Sequence, residues 1–73
     1  EEIVATIVWS KTNSDQVDSA LYPTDEGMIP IGYAMEVNGE WFAVSFKTPT
    51  KTSPSCRTKK EAANYILKQS GLL

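Results

Sequence analysis

Arg57, Lys59 and Lys60 crowd the point where the sequence writes the start of a helix. Thr58 three residues before Glu61 forms a capping box, in which the Thr58 hydroxyl accepts the Glu61 amide and the Glu61 carboxylate reaches back to the Thr58 amide. Unpaired amides already give such a helix end a partial positive charge, so cations there are locally misplaced, although when exposed they cost only about tenths of a kcal/mol. One resolution is an anion from outside, since a phosphate at that position would meet free amides and three cations together. Lys47 and Lys51, in the loop before the helix, would carry such a patch along a nucleic-acid backbone. The plainer alternative is solvated surface, with lysines keeping a strand edge soluble.

Trp41 is the second candidate. The hairpin register derived below places it on a face of small residues with Ala43 and Ser45, where a bare indole would make a platform for a base or a partner side chain. Alternatively the first strand or residues 10–30 cover it, since a small core can hardly spare so large an apolar side chain. Other chemistry is thin. There is no histidine and Cys56 is the lone cysteine, which removes imidazole proton transfer, a zinc set and any disulfide within the chain. Cys56 beside Arg57 reads as an ordinary structural thiol, because no base stands ready to activate it. Thr48-Pro49 and Ser53-Pro54 serve to hold an extended loop, Asp25-Glu26-Gly27 is a turn rather than a calcium loop, and Asp15 and Asp18 are helix-start or solvent charges. No glycine-rich phosphate loop is present. Catalytic residues, metal ligands and a cofactor are therefore not expected.

The elements that must position these residues follow from pattern. Residues 3–9 are dense in β-branched side chains and apolar on both alternate faces, as a central, doubly covered strand would be. Residues 10–30 form a variable segment, either a short helix around Val17, Ala20 and Leu21 or a strand over the same stretch. Residues 31–47 are a hairpin about Asn38-Gly39, the dipeptide best suited to a type I′ turn. A two-residue turn makes opposed residues sum to 77, pairing Val37 with Glu40, Met35 with Phe42, Tyr33 with Val44 and Ile31 with Phe46 on a face expected to be the core. Glu36 with Trp41, Ala34 with Ala43 and Gly32 with Ser45 form the other face.

A basic loop, 48–57, leads into a helix over 59–69. Its apolar stripe of Ala62, Ala63, Ile66 and Leu67 is expected to lie on the Tyr33/Phe42 face. Gly71 is a ready left-handed C′ residue, after which Leu72 can fold back onto Leu67. The fold class is thus α+β: one domain over residues 1–73, an antiparallel sheet of three or four strands with one C-terminal helix packed on one face.

Seventy-three residues suffice for one small core, worth only about 3–5 kcal/mol without staples. The longest apolar run, residues 3–9, falls far short of the roughly 20 residues a membrane span needs. The opening Glu1-Glu2 without an initiator methionine is expected of a piece of something longer, and the lone thiol suits a reducing compartment, cytoplasmic or nuclear. Net charge is −2, but residues 1–46 hold Lys11 against eight carboxylates, a net −7, while residues 47–73 hold six cations against Glu61, a net +5. Such poles either neutralise each other within the fold or dock a partner of opposite sign.

Residues 31–70, a hairpin with Gly39-Glu40-Trp41 followed by a basic loop and Thr58-Lys59-Lys60-Glu61-Ala62, resemble the arm-type DNA-binding domains at the amino end of phage and transposon integrases. The outline of three strands and a helix is also similar to plant ethylene-response and methyl-CpG-binding domains. In those families the exposed sheet face enters the major groove, which would turn Trp41, Ala43, Ser45 and Lys47 toward DNA. The leading expectation is a non-enzymatic nucleic-acid-binding module, with double-stranded DNA as partner and Trp41, Ser45, Lys47, Lys51, Arg57, Lys59 and Lys60 as contacts. The rival is a protein-interaction or self-associating domain, taking an acidic protein surface or a second copy, or mimicking DNA with its acidic half.

Overall fold

The computed structural model describes residues 7–72 and shows an α+β domain of four antiparallel strands and one helix. The strands β1 (Val8–Lys11), β2 (Val17–Thr24), β3 (Gly27–Val37) and β4 (Glu40–Ser45) pair in sequence order, and α1 (Lys59–Gln69) follows. Among the described residues no helix is long and apolar enough to cross a membrane.

The hairpin of β3 and β4 has the register that the Asn38-Gly39 turn dictates. Val37 faces Glu40, Met35 faces Phe42, Tyr33 faces Val44 and Gly32 faces Ser45. Asn38 and Gly39 take φ of 53° and 82°, the two left-handed residues of a type I′ turn. Beyond Ser45 the ladder ends, although the Phe46 amide still donates to the Ile31 carbonyl at 3.0 Å.

Residues 10–30 contain no helix. They supply the end of β1, all of β2 and the opening of β3, so the strand alternative holds for residues 17–24. The opening strand also differs from expectation. Residues 3–6 lie outside the described residues, and β1 is an edge strand pairing only with β2 rather than a central one. A register shift between Ala20 and Leu21 leaves Ile31 unpaired between Gly32 and Pro30, and past this bulge the pairing of β2 with β3 continues to Thr24 and Gly27.

The helix lies on the face opposite to the expected one. Its buried Ala62 and Ile66 cluster with Ala20, Ala34, Ala43 and Cys56, and Trp9, Ile31, Trp41 and Tyr65 pack around that cluster. The reason is closeness of approach. A Cβ on Gly32 would run into the Val44 carbonyl oxygen and sit 3.0 Å from Ile66 Cγ2, so glycine and three alanines let α1 settle onto the sheet backbone. Tyr33, Met35 and Phe42 alternate away from the helix and are half-buried, with no described element over them, while Val44 on the same face is buried at 5% exposure.

Both helix ends are closed as the sequence writes them, with one change. Thr58 accepts the Glu61 amide at 3.2 Å, but the Glu61 carboxylate takes the amide of Arg57 at 3.1 Å instead of that of Thr58. At the other end Gly71, with φ 76°, donates to Lys68 and Leu72 donates to Leu67, the pair of bonds that makes a Schellman motif.

Candidate functional site

Two features concentrate chemistry, one on each side of the sheet. Under α1, Trp9 on β1 and Trp41 on β4 lean inward from the two edge strands, over small residues of the central pair. Asp18 of β2, opposite Ala34, lies between them. Lys59, the first residue of α1, places its ammonium 4.8 Å from the Trp9 ring centroid and 5.4 Å from that of Trp41. The same nitrogen is 2.5 Å from Asp18 Oδ2. The Asp18 side chain is 8% exposed and its Oδ1 is buried with no hydrogen-bond partner among the described residues, while the Lys59 side chain is 35% exposed. A carboxylate out of water needs its counter-ion, and two indole faces add cation–π attraction. The pair therefore acts as a latch, docking the helix start onto the sheet.

This arrangement changes the reading of Asp18 and Lys59. Asp18 is neither a solvent charge nor a helix-start charge, and Lys59 is engaged internally rather than free for an outside anion. Trp41 is half-buried beside the cluster, which accords with the alternative that it is covered, although Cys56 and Lys59 adjoin it rather than the first strand or residues 10–30. Ser45 is fully buried, its hydroxyl 3.0 Å from that of Ser70 and accepting the Lys47 amide at 3.2 Å, so its side chain is engaged at the helix end.

The remaining cations are exposed but spread out. Arg57 and Lys60 stand at the start of α1, whereas Lys47 lies at its far end, lining a groove of about 360 Å³ with Pro30, Ile31, Phe46, Ser70 and Leu72. Eleven helical residues separate the two ends by about 16 Å. Lys51 sits on the loop between them, after a turn closed by its amide on the Thr48 carbonyl. That loop then runs beside β4. Ser53 exchanges bonds with Ala43, its amide to the Ala43 carbonyl and its hydroxyl accepting the Ala43 amide, each at 2.9 Å. Cys56 and Trp41 bridge through both backbone bonds, so the β4 edge is covered and the Cys56 thiol is buried.

The second feature is the sheet face that the helix leaves bare. Val8, Val17, Leu21, Tyr33, Met35, Val37, Phe42 and Val44 alternate onto it, with Ser10 and Ser19 as its polar members. Val37 is 44% exposed and Phe46, whose ring is 6.2 Å from that of Tyr33, is 50% exposed. Among the described strand residues Glu40 is the one charged residue alternating onto this face, and its carboxylate is bonded to the Ser55 hydroxyl at the β4 edge.

No protein-family model, curated protein or solved structure matches the chain. Function is therefore argued from this geometry alone. Sequence reasoning missed Asp18 and Trp9, which no local pattern joins to Lys59. It also had the bare and covered faces reversed, although matching the small residues of 32, 34 and 43 to Ala62 would have indicated the helix side.

Proposed function

We propose that the chain is a non-catalytic interaction module that pairs with a second copy of itself through the bare sheet face. The observation that carries this reading is the apolar surface of Leu21, Tyr33, Met35 and Phe42, each half-buried, which no described element covers. A two-fold interface sets a surface against itself, so a face without charge at its centre meets no like-charge repulsion there. Sheets pack face to face about 10 Å apart through such side chains, and the helix already occupies the other side. Four strands at about 4.8 Å spacing and at most about 20 Å of length give a footprint of no more than roughly 400 Å² per copy, or about 800 Å² in total, below the roughly 1,200–2,000 Å² of stable specific interfaces. The pairing is therefore weak and concentration-dependent.

Nucleic acid is the second reading, favoured by the exposure of Lys47, Lys51, Arg57 and Lys60. It is the weaker one. These cations flank α1 over its length, and the bare face offers none of the Arg or Lys side chains that read base edges. The integrase-like mode of docking through the sheet would press apolar side chains against phosphates.

Sedimentation velocity from about 10 µM to about 1 mM, the range in which an interface of this size titrates, separates the readings. The expected result is a rise toward twice the monomer mass, abolished by Met35→Lys with unchanged far-UV circular dichroism. A monomer throughout, together with salt-sensitive anisotropy changes of a labelled DNA duplex, would replace self-pairing with nucleic-acid binding.

A further inference from the structure

We propose that Trp9, Trp41 and Asp18 form a receptor for a methylated ammonium group, kept closed in the resting chain by Lys59. Two indole faces and a carboxylate are the components with which proteins recognise quaternary ammonium, because such a cation is weakly hydrated and polarises aromatic faces strongly. Here the ammonium of Lys59 stands within about 6 Å of both ring centroids, the range over which that attraction acts. The carboxylate supplies negative charge to a cation that donates no hydrogen bond, and its Oδ1 is buried without a hydrogen-bond partner among the described residues. The occupant is also removable: Lys59 is one-third exposed on a flexible stem, while Asp18 and its surroundings are fixed in the sheet. Release of Lys59 would free the first turn of α1 from β2 while leaving the Ala62 and Ile66 contacts in place. The site is on the helix side and is independent of the bare face.

The internal lysine competes with any outside cation, so the unmodified chain binds weakly and removal of the competitor strengthens binding. The test titrates tetramethylammonium chloride against wild type and Lys59→Ala, with sodium chloride at equal ionic strength as control. Trp fluorescence and thermal midpoint are the readouts. Lys59→Ala is expected to show saturable fluorescence change and a raised midpoint at concentrations at least about tenfold lower than wild type. Lys59→Ala/Asp18→Asn and Lys59→Ala/Trp9→Leu are expected to lose both responses. Choline and the N-acetyl amide of trimethyllysine, run as parallel arms, distinguish a free or headgroup ammonium from a methylated peptide side chain. Equal responses to tetramethylammonium and sodium in Lys59→Ala, or undiminished responses in either double variant, would overturn the proposal. Should Lys59→Ala fail to fold, the NMR shifts of the Lys59 ε-methylene in wild type decide. Ring currents move them upfield in the closed site, and tetramethylammonium but not sodium must return them toward free lysine; unmoved shifts overturn the proposal.

Discussion

Replacing Lys59 by methionine keeps an apolar stem against Trp9 and Trp41 but removes the charge that faces Asp18. The carboxylate is then left in a site where its side chain is 8% exposed. Breaking a fully buried ion pair from one side costs about 3–5 kcal/mol. Because water reaches the lysine end, the loss here is discounted to about 2–3 kcal/mol, with cation–π attraction included. Asp18→Asn is the milder change. It leaves Lys59, which can swing into solvent, and is expected to cost about 1 kcal/mol. Against a total stability of about 3–5 kcal/mol, the lysine variant should be close to unfolded at low urea concentration. Urea titrations followed by Trp fluorescence give both values and, with the double variant, a coupling energy expected at about 1–2 kcal/mol. Equal small losses for the two single variants, or strict additivity in the double variant, would refute the latch, because a loose surface pair behaves in that way.

Other parts of the fold make equally specific demands. Gly32→Ala should destabilise by at least about 1–3 kcal/mol in chemical denaturation, since the added methyl meets the Val44 carbonyl and Ile66 with no room to relax. Ser53→Ala strands the Ala43 amide at the covered β4 edge and is expected to cost about 1–3 kcal/mol, with faster amide exchange at Ala43 and Trp41. Thr58→Ala removes the cap on Glu61 and should lower stability by about 1 kcal/mol, while Thr58→Ser should retain most of it, both read by thermal melts.

Local signals in the sequence were strong where one short stretch determines one geometry. Asn38-Gly39 sets the hairpin register to the residue, and Thr58, Glu61 and Gly71 bound α1 at Lys59–Gln69. The variable segment was harder because β2 breaks its own alternation: Asp18 occupies a helix-facing position, a bulge follows Ala20, and Pro23 lies near the end. Side-chain bulk misled on the faces. Tyr33, Met35 and Phe42 look like a core, yet a helix approaches a sheet most closely over Ala34, Ala43 and Gly32, and the bulky side is the one that no described element covers. The cationic cluster was visible as composition, but the partner that takes Lys59 from it lies far away in sequence on β2. Only the folded register brings them together.

The most direct test of self-pairing is an isotope-filtered NOE experiment on an equal mixture of labelled and unlabelled chain at millimolar concentration. Intermolecular cross-peaks are predicted from the Met35 methyl to the Phe42 and Tyr33 rings, with none from Ile66 or Ala62 beneath the helix. Cross-peaks confined to helix residues or to the Lys51 and Arg57 surface, or no intermolecular cross-peaks at all, would contradict the account.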